Sequence, residues 1–206
     1  MNWLIKLIAK IMGAVETTVD ATSTGSDMSK TYKGFILAIA KRESSDRYDI
    51  VNSLGYLGRY QFGMARLTDF GLAKRKVGHT GFANSSFEWV DGMTDELFLG
   101  SKKMQDVVFD LHVGNLRKVV LRSYNRHLGR SIQGTLVTMS GMVACMHLLG
   151  QGGLKKFLSG RDTADANGTK ASDYMTLFSG YDIPDNLPAP KDVRLLKYVE
   201  SNINGD

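Results

Sequence analysis

The chain has 206 residues, of which 43% are apolar and 23% charged, the profile of a folded globular protein. A chain this apolar buries enough surface to offset its ordering entropy, which excludes disorder as a whole, and the scarcity of proline (3) with no three-residue glycine period excludes collagen-like architectures. The net charge of +5 is mild and favours anionic surfaces without choosing among nucleic acid, cell wall and lipid. It is concentrated between residues 101 and 130, where Lys102, Lys103, Arg117, Lys118, Arg122, Arg126 and Arg130 face only Asp106 and Asp110. The lone cysteine, Cys145, excludes an internal disulfide and a multi-cysteine zinc site, and reads as a buried small hydrophobe.

Residues 1–15 are apolar but interrupted by Lys6 and Lys10, too short and too charged for a membrane span and a poor signal peptide. They read as an amphipathic helix or arm, and Thr, Ser, Gly and Asp make residues 16–29 a polar linker. The expected division is therefore an N-terminal segment, 1–29, and one domain, 30–206. Residues 32–42 have helical character, with Phe35, Ile36, Ile39 and Ala40 on one side. Residues 45–63 change to Asp, Tyr, Asn, Ser and Gly and read as an irregular loop with short strands. A short helix is predicted over 64–70 with Gly71 past its end, then a long surface loop over 74–91.

The best long helix runs over 102–128, with Met104, Val107, Val108, Leu111, Leu116, Val119 and Val120 on its buried side. Lys118, Arg122, Arg126 and Arg130 form an exposed basic stripe if it persists. Residues 131–149 are apolar nearly all round and are predicted as a core helix, broken by Gly150, Gly152 and Gly153. A short helix over 154–158, a break at 187–190 and a terminal helix over 192–202 complete the reading. The fold class is mainly α, with a small irregular or β region in the N-terminal third.

Glu43 is the carboxylate of most chemical interest, because it ends an apolar helix immediately before a glycine-rich loop. A carboxyl group partly desolvated in such a place can donate a proton near neutral pH. A solvated helix-end Glu beside Lys41 or Arg42 is the plainer reading of the residue alone. His147 on its apolar helix reads equally as a core histidine or a groove residue.

Glu43-Ser44 is followed by Gly55 and then Gly58-Arg59-Tyr60-Gln61. This segment resembles the catalytic segment of the soluble lytic transglycosylases and goose-type lysozymes, which runs Glu-Ser, a polar loop, then Gly-Leu-Met-Gln. The distance from Glu to Gln is kept without a gap. Arg59 and Tyr60 replace Leu and Met, and Asn52 stands for a loop Ser that binds substrate. A second block, Met146-His147-Leu148-Leu149-Gly150-Gln151-Gly152, resembles the family's Ala-Tyr-Asn-Ala-Gly-x-Gly segment along the glycan groove, with His147 at the Tyr position and Leu148 at the Asn position. Tyr174, after Asn167-Gly168, is the candidate for a late Tyr that the family places over its catalytic Glu. The resemblance spans roughly residues 32–181 and lies nearest the phage-associated or effector-type peptidoglycan transglycosylases.

That resemblance implies a lysozyme-like fold and cleavage of the MurNAc-β-1,4-GlcNAc bond, with Glu43 as general acid and base. Ser44, Asn52, Tyr60, Gln61, His147, Gly150 and Tyr174 become substrate-binding or orienting candidates, with Tyr60 stacking on a pyranose face. No metal and no cofactor is called for. A glycosidase with two carboxylates needs a partner for Glu43, and the nearest acids in sequence are Asp46 and Asp49. Neither matches such a position, which favours a transglycosylase forming 1,6-anhydro products over a hydrolytic lysozyme. Asn52, His147 and Leu148, as departures, keep open a non-catalytic peptidoglycan-binding module. Nucleic acid is not an expected partner: the basic stripe comes with no helix-turn-helix, zinc or stacking-platform signature. The expected setting is the bacterial periplasm or cell wall, reached by phage lysis, a phage tail or a secretion system. Residues 1–29 are then available to a delivery machine, a neutralising partner or the membrane.

Overall fold

Thr31 opens the first helix: its hydroxyl accepts from Gly34 N–H at 3.1 Å and its carbonyl from Phe35 N–H at 2.9 Å. In the computed structural model, which describes residues 30–165 and 168–187, this helix, α1, spans Tyr32–Ser44. The described chain is mainly helical. Next come α2 (Met64–Leu67), β1 (Ala73–Arg75), β2 (Phe87–Trp89), α3 (Asp95–Gly100) and α4 (Lys102–Ser123). A two-residue pair, β3 (Ser131–Ile132) and β4 (Thr135–Leu136), precedes α5 (Met139–Leu158) and α6 (Ala171–Leu177). The expected arm and linker at 1–29 and the expected helix at 192–202 lie outside the described residues. No helix among the described residues is long and apolar enough to cross a membrane.

The described residues fall into two compact units, one formed by residues 40–111 and the other by 30–39 with 112–187. The core of the first is aromatic. The Tyr60 ring stacks on Phe109 with centroids 3.9 Å apart, and Phe62 meets Phe70, Phe98 and Phe109 edge-on. Gly71 in the left-handed region ends the short turn after α2, as expected from sequence. Residues 74–91 depart from the expected surface loop. β1 and β2 pair antiparallel there, with Lys74 opposite Glu88, and the two form an ion pair at 3.2 Å. Three-residue strands are too short to show an alternating pattern, so composition alone reads as loop.

The second unit packs Phe35 edge-on against Phe178 (5.9 Å) and Tyr181 (5.8 Å), with α5 contributing Met142, Val143, Cys145 and Met146 to its core. α4 stops at Ser123, short of the expected 128; a 3₁₀ turn at Asn125–His127 comes next, so Arg126 and Arg130 do not continue the helical row of Lys118 and Arg122. The helix predicted over 131–149 starts only at Met139. Before it, Gln133 and Gly134 both have positive φ (50° and 77°) and turn β3 back onto β4. Thr138 then caps α5 by accepting from Gly141 N–H at 3.1 Å. The break expected at Gly150 is present as a kink within α5 (φ 68°, ψ 179°).

Candidate functional site

Glu43 sits in the last turn of α1, half-buried, in the unit of residues 40–111. The backbone immediately after it is unusual. Ser45 (φ 55°) and Asp46 (φ 65°) are consecutive non-glycine residues in the left-handed region, each a conformation that costs free energy. Ser45 N–H continues the helical pattern to Lys41 at 3.2 Å, while Asp46 N–H reaches back to the Ala40 carbonyl at 3.0 Å. The helix thus ends in a tight reversal directly after Glu43 and Ser44.

The chain then forms a small ribbon. Leu57 is the centre of two antiparallel bridges, to Val51 and to Phe62, and Gly58 N–H donates to Ile50 at 2.8 Å. This is the small β region expected after Glu43. Ser44 fastens it to the helix end: its hydroxyl donates to the Arg59 carbonyl at 2.8 Å, contacts the Ala40 carbonyl at 3.2 Å, and accepts from Arg47 N–H at 3.0 Å. Only 4% exposed, Ser44 is therefore a staple, and the substrate contact expected of it is corrected.

Tyr60 needs the same correction. It is 1% exposed, stacked on Phe109, and its hydroxyl donates to Asp106 at 2.6 Å, so no ring face is left for a sugar. Its partner in this knot is Arg59. The guanidinium donates through Nε to Asp46 at 2.6 Å, and through Nη1 to Tyr60 Oη (2.8 Å), Tyr48 Oη (2.9 Å) and Asp106 (3.2 Å). Tyr48 also donates to Asp106 at 3.0 Å. Burial, reinforced by the Asp106 carboxylate, pushes the Tyr48 phenol up to about 12 and the Tyr60 phenol higher still. Burial works against the charge on Arg59, but Tyr60, Asp46, Tyr48 and Asp106 outweigh it and hold the guanidinium protonated. Fully buried Gln105 closes the knot from α4, accepting from Arg59 N–H at 2.9 Å and donating to the Tyr48 and Phe98 carbonyls at 3.1 Å. No sequence pattern marks either Asp106 or Gln105 for this site; both come to it from a helix remote in the chain.

The acids nearest Glu43 in sequence are both held by arginines. Asp46 is paired with Arg59, and Asp49 with Arg47 at 3.3 Å, which lowers the Asp49 carboxyl below its usual range. Gln61 is half-buried with φ 50°, and its Nε2 donates to the Gly58 carbonyl at 2.9 Å, closing the turn it belongs to. Asn52 is exposed. Its Oδ1 accepts from Leu54 N–H (2.9 Å) and Tyr56 N–H (3.0 Å), shaping the ribbon's outer loop.

His147, Gly150 and Tyr174 belong to the other unit. Half-buried His147 places Nδ1 3.1 Å from Nε2 of buried His112, so the two rings share a hydrogen bond. Gly150 takes a backbone conformation that is essentially glycine-only, and so shapes the segment between the two halves of α5. Tyr174 is 2% exposed, with its ring tilted against Phe178 at 5.1 Å. Cys145 is buried and free, and burial, with a smaller effect of Asp162, pushes its thiol up to about 12, as suits an inert core residue. Comparison with protein-family models, with curated proteins and with solved structures gives no match for the chain.

Proposed function

We propose that the protein is a peptidoglycan-cleaving enzyme of the lysozyme-like class, with Glu43 as its general acid and base. The observation that carries this reading is the construction around Glu43. A half-buried carboxyl group ends a helix, a strained reversal comes next, and a bridged ribbon returns to bond the helix end through Ser44. Strain of this kind persists only where the surroundings over-determine it, and it clusters at sites of function. The segment also carries the Glu-Ser and Gly-x-x-Gln residues that resemble the transglycosylase pattern.

In this reading Glu43 gives its proton to the glycosidic oxygen as the bond from that oxygen to the muramoyl C1 breaks. The sugar's own N-acetyl group stabilises the cationic centre. The muramoyl 6-hydroxyl then bonds to C1 and returns its proton to Glu43, leaving a 1,6-anhydro end and an unchanged enzyme. The engagement of Asp46 and Asp49 by arginines supports this one-carboxylate route over a hydrolase with two. In this reading Asn52 would offer its amide to sugar or peptide oxygens, while Gln61, whose Nε2 donates to the Gly58 carbonyl, would meet them through what that bond leaves free. The substrate would be met at the bacterial cell wall.

The test is mass spectrometry of soluble products from purified sacculi, with wild type beside Glu43→Gln. The expected products are lighter by one water than hydrolysis products, and Glu43→Gln lowers their yield about 10²–10⁴-fold, the usual worth of a general acid–base. Reducing-end products would mean a hydrolytic lysozyme. Equal activity in both proteins, or none in either, would refute Glu43 as the catalytic acid.

A further inference from the structure

The ribbon carries exposed apolar side chains: Val51, Leu54 and Tyr56, the last 39% exposed. Tyr56 is held differently from the other two. A Cβ on Gly63 would come within 2.7 Å of Tyr56 Cε1 and 3.1 Å of its Cδ1, so the ring lies directly against the Gly63 backbone. Asn84 fixes both partners. Its Nδ2 donates to the Leu54 and Gly55 carbonyls (3.1 and 2.7 Å), and its Oδ1 accepts from Met64 N–H at 2.8 Å. The ring is thus backed on one side by a main chain that an amide clamp immobilises, while much of its surface meets solvent. Asn52 holds the Tyr56 backbone twice: its Oδ1 accepts from Tyr56 N–H, and its own main-chain N–H donates to the Tyr56 carbonyl at 3.1 Å. Among the described residues the Asn52 side-chain N–H groups have no acceptor.

A half-exposed aromatic ring packed on main chain, with an unspent amide donor on the residue that holds its backbone, matches the chemistry of a pyranose, which has an apolar C–H face and a polar edge. Because the ring already packs against main chain on one side, part of its side-chain entropy is spent before binding. The ribbon also reaches the helix end, since the carbonyl of Arg59, three residues beyond Tyr56, accepts from Ser44. Three extended residues span at most about 11 Å, so a sugar on Tyr56 is within a few units of one at Glu43.

We propose that Tyr56 is a glycan-binding platform, with Asn52 donating to a hydroxyl or acetamido oxygen of the same sugar. The ligand class, an N-acetylated β-linked polysaccharide, rests on the proposed function; the platform itself rests on the ring's geometry. It replaces Tyr60, whose ring is unavailable.

The experiment is titration of the full chain carrying Glu43→Gln with chitohexaose, followed calorimetrically, with sacculus digestion by the Glu43 protein run in parallel. Tyr56→Ala is expected to weaken binding about tenfold, and Tyr56→Phe to stay within about twofold. Tyr56→Leu, which keeps apolar bulk but no flat ring, should bind like the Ala variant, and its urea midpoint guards against misfolding. Gly63→Ala, which displaces the ring without removing it, should also weaken binding. Equal affinity for Tyr56→Ala and its parent overturns the proposal, as does loss in Tyr56→Phe equal to that in Tyr56→Ala, or no binding by the parent. Tyr56-dependent binding without digestion of sacculi would sustain the platform and sink the enzymatic reading. Digestion that depends on Glu43 but not on Tyr56, with Tyr56-independent binding, would do the reverse.

Discussion

Gly58→Ala tests the ribbon's design most directly, because two separable costs meet there. The residue has φ +72°, where an Ala costs about 1–2 kcal/mol relative to Gly. The added Cβ would also overlap Gln105 Oε1 and lie 2.7 Å from its Cδ. Gln105 is fully buried, and its amide accepts from Arg59 N–H and donates toward the Tyr48, Phe98 and Leu99 carbonyls. Each such bond is worth about 1 kcal/mol net, and stranding a buried amide costs about 1–3 kcal/mol. Gly58→Ala should therefore cost about 2–5 kcal/mol. Gly71→Ala is the internal control: its φ is +71°, but nothing lies within 4 Å of the added Cβ, so only the backbone cost of about 1–2 kcal/mol applies. Urea unfolding at unchanged m-value measures both. In a Gln105→Ala background the Gly58→Ala cost should fall to that of Gly71→Ala, a coupling of about 2 kcal/mol. Equal shifts for Gly58→Ala and Gly71→Ala in the parent chain would show that Gln105 is not fixed against the ribbon, and the reasoning would fail.

Gly150→Ala should cost about 1–3 kcal/mol although the added Cβ meets nothing within 4 Å, because φ 68° with ψ 179° is a glycine-only region; an unchanged urea midpoint would show that the kink can relax. The Tyr48 phenol is raised in the folded protein from 10.0 to about 12, so its contribution is fully present below pH 10 and lost as pH rises through about 12. Urea unfolding across that window should show stability falling, more shallowly in Tyr48→Phe; identical slopes would remove Tyr48 from the alkaline transition. Cys145, buried with its thiol pushed up to about 12, should resist a disulfide-exchange reagent at neutral pH and react fully in denaturant; rapid labelling of the native protein would contradict its placement.

What sequence conveys well here is local and periodic. Phe35 and Ile39, one turn apart, do mark the buried side of α1, and Met104, Val107, Val108, Leu111, Leu116 and Val120 that of α4. Gly71 and Gly150 do interrupt the chain at the expected places. Residues 131–136 mislead because Ile132 and Leu136, four apart, imitate a helical stripe, whereas Leu136 is 53% exposed and the Gln133-Gly134 turn decides the conformation. Tyr60 misleads for a different reason. A tyrosine after Gly-Arg reads the same whether its ring faces sugar or Phe109, and Phe109 lies on a helix remote in sequence. Tyr56 carries no mark in the sequence because its only distinction is spatial: the Gly63 backbone beneath it and the Asn84 clamp beside it.

The Arg59 knot explains how two non-glycine residues can remain left-handed so soon after Glu43. Asp46 is one of them, and its carboxylate is gripped by Arg59 Nε; Ser44, on the other side, bonds the Arg59 carbonyl. One residue therefore holds the reversal by both its side chain and its main chain. A guanidinium only 13% exposed is costly to bury unless its donors are met, and here Asp46, Asp106 and two phenols meet them. The phenols are in turn useful because they stay protonated: each accepts from Arg59 while donating to Asp106. An apolar Leu-Met pair at Arg59-Tyr60 could fill the same volume but could not hold Asp46 against its backbone strain. Arg59, Tyr60 and Asp46 thus form one device that fixes the direction in which the chain leaves Glu43.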